Sequence, residues 1–358
     1  MTMQARNPGK GFTLLELVVS MALGLLVMAS MASLFKTGLN SVMLVTQRAE
    51  TQQNMRAAID LMVKDISMAG AGLPSGGIQL PTGNGSSTSN FACDQGGVCH
   101  VPAFNYPNNN YMYGVIPGFN NGVEANAVIP AAPPPIINDS ITVIYADYNF
   151  PLWEYDITFP TPNDGTNITL TPNTAYVPPP PLITAAGGIQ VGDLIMLSNS
   201  LGTAVGEVTN LGAGFIEFAD RDALNINQNG AASNNIKSIS TGANTTAYRL
   251  FAVTYYLTVP ANGQTPRLMR QVNGLNPVPV ADDIINLQFA FDTYNSTNAA
   301  LDANQPNPLG TGESPNLIQK INIVVMGQSM LNNGNKSQNM YLATSVSARN
   351  MAFRNRYQ

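Results

Sequence analysis

Residues 11–35 read GFTLLELVVSMALGLLVMASMASLF, and the organisation of the whole chain follows from them. From Phe12 to Phe35 the run is apolar, with Glu16 its only charge. As a helix at 1.5 Å per residue it covers about 36 Å, more than the roughly 30 Å of a bilayer's hydrocarbon core. The stretch before it, residues 1–11, is polar, carries Arg6 and Lys10 and contains the helix breakers Pro8 and Gly9. Positive charge ahead of an apolar helix keeps that end in the cytoplasm, so the long remainder is expected outside. A secretory signal has a shorter apolar core closed by a small-residue cut site. This run passes directly into more helical sequence and is expected to be retained.

No proline occurs between Phe12 and Leu73, which permits one helix of nearly sixty residues, roughly 85 Å long. Gly70 and Gly72 are placed to end it. In its second half Met55, Ile59, Met62, Ile66 and Ala69 recur at spacings of four, three, four and three. That period marks an apolar stripe expected to lie on a globular domain, with Arg56, Asp60, Lys64 and Asp65 on the opposite side. The expected division is a leader at 1–11, a membrane-spanning helix at 12–35, its amphipathic continuation at 36–72 and a β-rich domain at 73–358.

Residues 73–139 read as loop, with Ser75-Gly76-Gly77, Asn108-Asn109-Asn110 and Pro133-Pro134-Pro135 among their turn formers. Beyond them, β-branched and aromatic runs bounded by turn formers predict strands at 140–148, 190–198, 204–210, 215–219, 248–259, 267–272, 284–292, 317–326 and 340–348. Gly192-Asp193 and Gly212 to Gly214 suggest tight antiparallel connections within one compact β-subregion at 189–220. Pro178 to Pro181 form a stiff spacer before it. The fold class is α+β.

Composition narrows the function. Only 10% of the 358 residues are charged, against about 25% in an average soluble protein, and the 41 asparagines are the main replacement. The net charge of −5 provides no basic stripe for nucleic acid. One histidine, His100, and two cysteines, Cys93 and Cys99, leave little for metal, thiol or imidazole chemistry, and no cofactor is implied. Five residues separate the cysteines, whereas haem attachment uses Cys-x-x-Cys-His. Placed outside the cytoplasm, Cys93 and Cys99 are expected to form a disulfide. Asn225 to Gly230 offers oxygen donors at alternate positions, but position 236, where a calcium loop wants a bidentate Glu, is Ile236. Asp282 and Asp283 are neighbours, which on a strand point to opposite faces, so a turn leading into a strand is expected there. No phosphate-cradling loop, nucleophile elbow or zinc helix occurs, and the chain is not expected to be an enzyme. Tyr106, Tyr111, Tyr113, Phe119, Tyr148, Trp153 and Tyr155 could stack on sugars or a partner protein and are read chiefly as core or loop pins.

Gly11-Phe12-Thr13-Leu14-Leu15-Glu16 resembles the processing site of type IV prepilins and type II secretion pseudopilins. The resemblance implies cleavage after Gly11 by prepilin peptidase and N-methylation of Phe12. It assigns Glu16, with Thr13, to assembly, the carboxylate pairing with the N-terminal amine of a neighbouring subunit. Residues 57–72 (AAIDLMVKDISMAGAG), 191–208, 268–292 and the closing Val346-Ser347-Ala348-Arg349-Asn350 further resemble the PilW-type minor pilins, relatives of the J pseudopilin. What this implies is a pilin-like fold, a long N-terminal helix packed on an antiparallel β-sheet domain with long loops. The implied role is in initiating pilus assembly within a tip or priming complex. The implied partners are other minor and major pilins through the N-terminal helix, the peptidase and an inner-membrane assembly platform. The implied location is the inner membrane as a single-pass protein, its domain periplasmic, and then the pilus or cell surface. Two departures from major pilins matter: the missing proline in the apolar helix favours a minor component, and the early position of both cysteines means that adhesion through a C-terminal disulfide-bracketed loop is not carried over. The alternatives are a type II secretion pseudopilin and a tip adhesin or ligand-binding module.

Overall fold

The computed structural model describes residues 11–81, 89–103, 111–123, 137–160, 164–259, 266–308, 310–329 and 338–351. The leader with Arg6 and Lys10, the Asn108 to Asn110 and Pro133 to Pro135 clusters, and Tyr106 lie outside them. The chain divides into two compact units, one running to Glu50 and one beginning at Thr51.

Helix α1 (Leu14–Ser67) is 54 residues long, about 81 Å. In the first unit every residue from Gly11 to Leu39 is exposed, and the helix is long and apolar enough to cross a membrane. Four of its hydroxyls are satisfied within the helix: Ser20, Ser30, Thr37 and Ser41 donate to the carbonyls of Leu17, Val27, Ser33 and Thr37. In hydrocarbon, where water supplies no partner, that self-sufficiency is what a spanning segment needs.

In the second unit the strands in chain order begin with β1 (Ile78–Gln79), β2 (Tyr111–Met112), β3 (Val115–Gly118), β4 (Ser140–Asp147), β5 (Tyr155–Thr158) and β6 (Asn167–Pro172). Then come β7 (Leu194–Asn199), β8 (Gly202–Glu207), β9 (Asn210–Leu211), β10 (Phe215–Glu217), the short helix α2 (Ile236–Ile239), β11 (Thr246–Thr258) and β12 (Arg267–Val272). The series closes with β13 (Val278–Asp282), β14 (Ile284–Asn295), β15 (Ala300–Gln305), β16 (Ile318–Gln328) and β17 (Asn339–Ser347). Every pairing is antiparallel.

β11 organises the largest sheet. Its thirteen residues are mostly β-branched, aromatic or aliphatic and contain neither Gly nor Pro, a composition suited to a strand buried on both faces. β4 pairs with Arg249–Tyr255, while β7 takes Thr246–Leu250 and β12 takes Val253–Thr258. β3 and β13 extend the sheet at its ends, and β8 joins through β7. A four-stranded sheet runs β15-β14-β16-β17, and a second runs β5-β6-β10-β9.

Strand alternation sorts the core. Ile141 and Val143 of β4 face the cluster that contains Met55, Ile59, Met62, Ile66 and Ala69, together with Leu287, Phe289, Ile321 and Ile323 of the four-stranded sheet. Ile144 and Ala146, on the opposite face, join Leu194, Met196 and Leu250 in a second cluster. Full burial of side chains such as those of the helical stripe contributes roughly 1.5–3 kcal/mol each. The close approach of helix and sheet needs Gly327 on β16, where a Cβ would lie 2.7 Å from the Met55 sulfur.

The predicted stripe is therefore the buried face, and the nine predicted strands are present, β12 with the expected ends and the other eight with shifted ones. Three expectations change. Residues 73–139 hold the short strands β1, β2 and β3. The expected compact subregion at 189–220 is split, since β7 and β8 belong to the β11 sheet whereas β9 and β10 pair with β6. Asp65, expected on the polar side of the helix, is 4% exposed, for the reason given below.

Candidate functional site: the two ends of the helix

At the start of α1, Thr13 occupies the capping position. Its hydroxyl oxygen accepts from the Glu16 N–H at 3.3 Å, and one Glu16 carboxylate oxygen accepts from both the Thr13 N–H and the Thr13 hydroxyl at 3.0 Å. This reciprocal arrangement is a capping box, which satisfies donors that the first turn of a helix leaves without partners. The T-x-x-E spacing was visible in the sequence, and the bonding between its two members is what the structure adds. Phe12 is 88% exposed, and a Cβ added at Gly11 would meet no atom of the described residues within 4 Å. Gly11, Phe12, Thr13 and Glu16 thus adjoin one another at a bare helix start.

At the other end the helix is bonded into the β-domain. The Asp65 carboxylate accepts from the Tyr255 hydroxyl at 2.6 Å, the Tyr145 hydroxyl at 3.2 Å and the Arg270 Nε at 2.8 Å. Tyr145 comes from β4, and Tyr255 and Arg270 stand opposite each other on β11 and β12. Burial, reinforced by the Asp65 charge, pushes both tyrosine hydroxyls well above their ordinary range. Burial alone would lower Arg270, but the hydrogen bond and charge of Asp65 overcome it and hold the guanidinium firmly protonated. A helical period alone cannot disclose this site, because the donors are 80 to 205 positions away.

The helix ends as the glycines predict. Gly70 has φ +74°, its N–H donates to the Ile144 carbonyl at 2.9 Å, and Ala146 N–H donates to the Ala71 carbonyl at 2.8 Å. The left-handed turn thereby ties the helix end to β4.

Cys93 and Cys99 are joined by a disulfide. The Cys93 carbonyl accepts from Gln271 Nε2 at 2.7 Å, which fixes the small loop to β12. His100 lies 3.1 Å from an Asp94 carboxylate oxygen and stacks on Tyr256. In the Asn225 to Gly230 segment, backbone N–H groups of Ile226 and Asn227 donate to Asp222, and that of Asn229 to Asp220. Those carboxylates therefore hold the loop's own backbone. Asp222 also bonds to Glu207 of β8. Desolvation, then the hydrogen bond and charge of Asp222, raise Glu207 to about 9. Asp283 sits in a left-handed turn between β13 and β14, φ +63°, matching the expected turn.

Residues 6–32 match the prokaryotic N-terminal methylation motif. No curated protein and no solved structure matches the chain. The motif, the apolar helix behind it and the antiparallel β-structure that follows support a type IV pilin-like protein, the class that includes pilins and pseudopilins. The motif implies processing by prepilin peptidase and pilin–pilin interaction, and the apolar helix fits a single-pass membrane anchor.

Proposed function

We propose that this chain is a PilW-type minor pilin that takes part in initiating type IV pilus assembly within a tip or priming complex. The observation that carries the reading is the conjunction of a prepilin-type motif at residues 6–32 with an apolar helix bare from Gly11 to Leu39. Peptidase cleavage falls after Gly11, Phe12 becomes the methylated N-terminus, and residues 12–35 serve first as membrane span and then as filament-core helix. Residues 36–72 continue the helix, and 73–358 form the domain carried outside the cytoplasm. Glu16 pairs with a neighbouring subunit's N-terminal amine as the helix enters the bundle, where opposite charges relieve each other's desolvation. The partners are other minor pilins and the major subunit, met at the inner-membrane platform. The role is structural, with force supplied by a separate motor.

The test is deletion and complementation in the native host. Loss of surface pili on deletion, with recovery by the intact gene and co-purification of pilins from the membrane, is the expected result. Normal piliation combined with loss of protein secretion and co-purification of secretion-system components overturns the pilus reading in favour of a pseudopilin. At residue level, Gly11→Trp leaves the chain uncleaved, and mass spectrometry of the wild type finds a methylated Phe12 at the start. A mature chain beginning elsewhere refutes the cleavage assignment.

A further inference from the structure

A groove of about 490 Å³ opens on the β-domain beside the β1-β2 ribbon, lined among others by Gln79, Tyr111, Thr203, Ser233, Asn234 and Ser238. These come from four places: β1, β2, β8 and the segment around α2. The size falls within the range of small-ligand sites, roughly 300–1,000 Å³. Among the described residues its wall holds no carboxylate, ammonium, guanidinium or imidazole group. The Gln79, Ser233 and Asn234 side chains have no hydrogen-bond partner among the described residues. Tyr111 is braced by stacking on Tyr113, centroids 5.7 Å apart. Asn234 is held at φ +65°, a left-handed conformation that Asn tolerates. Thr203 shares a hydrogen bond with Ser198 at 3.1 Å, and Ser238 donates to the Asn235 carbonyl at 2.6 Å, so each hydroxyl keeps acceptor capacity.

We propose that this groove binds a neutral glycan, a role separate from filament assembly. Amide and hydroxyl groups donate and accept at once, which matches a ligand that carries hydroxyls all round. A tyrosine ring offers an apolar face with a polar tip, suited to the C–H face of a sugar ring. An anionic ligand would meet no cation among the described lining residues. A protein partner's anchoring side chain typically fills a desolvated apolar pocket, and six of the lining side chains are instead polar.

The experiment uses full-length protein in detergent and titrates maltotriose, cellotriose and chitotriose, with sialyllactose as an anionic comparator, by calorimetry and ligand-observed NMR. Saturable binding of at least one neutral trisaccharide is expected, weakened about tenfold or more by Gln79→Ala and by Tyr111→Ala, and retained by Tyr111→Phe. Because Tyr111→Ala removes a stacked ring from a strand, Asn234→Gly supplies a second check that keeps the left-handed backbone, and it too should weaken binding. Absence of binding by all three neutral sugars, indifference to both Gln79→Ala and Asn234→Gly, or preference for sialyllactose overturns the proposal.

Discussion

Two carboxylates stand on one helix, and their surroundings are opposite. Asp65 is buried and receives donors from three strands. Glu16 is exposed and, among the described residues, receives donors only from Thr13, three residues earlier. The same contrast extends along the chain around them. Near Asp65 a stripe of apolar side chains is covered by sheet; near Glu16 none is covered by anything. The second half of α1 has found its partner in its own chain, and the first half carries an apolar surface whose cover must be lipid or other chains. In the second half the Asp65 carboxylate adds directional bonds from three strands to that apolar cover.

The most severe way to break that comparison acts on Glu16. Glu16→Gln keeps the capping box, because a glutamine amide oxygen accepts from the Thr13 N–H as the carboxylate does, yet removes the charge offered to a neighbour's amine. Expected is a chain that is processed, resides in the membrane at normal level and is absent from sheared filaments, with piliation lost as completely as in Glu16→Ala. If Glu16→Gln supports normal piliation while Glu16→Ala does not, the residue acts through helix capping, and its proposed pairing must be abandoned.

Next in size is Asp65. Asp65→Asn leaves the half-buried Arg270 guanidinium without its counter-charge, which is expected to cost about 3 kcal/mol. Denaturant unfolding of the detergent-solubilised protein measures it, and Asp65→Asn combined with Arg270→Met should cost less than the sum of the two single changes. A loss under about 1 kcal/mol would place this bridge with ordinary surface pairs.

How far the sequence discloses the molecule follows the same division. The apolar run, the stripe and the glycine stop are local patterns, and each appears in the structure where it was read; the T-x-x-E spacing is equally local, and its capping role emerges only from the bonds of Thr13 and Glu16. Asp65 was misread because a helical wheel assigns a charge to the polar side, and only the fold brings Tyr145, Tyr255 and Arg270 to it. The strands missed, among them β1, β2, β3, β5, β6, β13 and β15, are short or carry proline and asparagine, as in Val278–Asp282 with Pro279 and Ala300–Gln305. These depend on sheet pairing more than on propensity. The assignment of β9 and β10 to a separate sheet is likewise a long-range fact, set by β10 pairing with β6.

A smaller effect is expected at the disulfide. Replacing both Cys93 and Cys99 by Ser opens a short loop, for which chain-entropy reasoning gives about 2 kcal/mol. The change lies wholly in the β-domain, so incorporation into filaments should persist at permissive temperature while thermal stability falls. Thiol labelling of unreduced native protein should fail. Free reaction of both thiols would show that the pair is not closed in the cell.

Glu207 sharpens the comparison most finely, because it adds a third way of housing a carboxylate. It is 2% exposed, faces Asp222 instead of a cation, and accepts from the Leu224 N–H at 2.8 Å. Desolvation and the Asp222 carboxylate raise it to about 9, and burial raises Asp222 as well. A proton is therefore held between them at neutral pH. In the unfolded chain Glu207 titrates near 4.5, so folding takes up a proton between these values. The stabilisation from this protonated state is complete below about pH 4.5 and is lost as pH rises toward about 9. The slope is at most about 1.4 kcal/mol per pH unit for one proton. Glu207→Gln replaces the shared proton with an amide N–H that donates to Asp222, while its oxygen still accepts from Leu224. The variant should match the wild type near pH 5 and exceed it progressively toward pH 9 in thermal melts followed by near-UV circular dichroism. Parallel pH profiles for the two proteins would show that no proton is shared between Glu207 and Asp222.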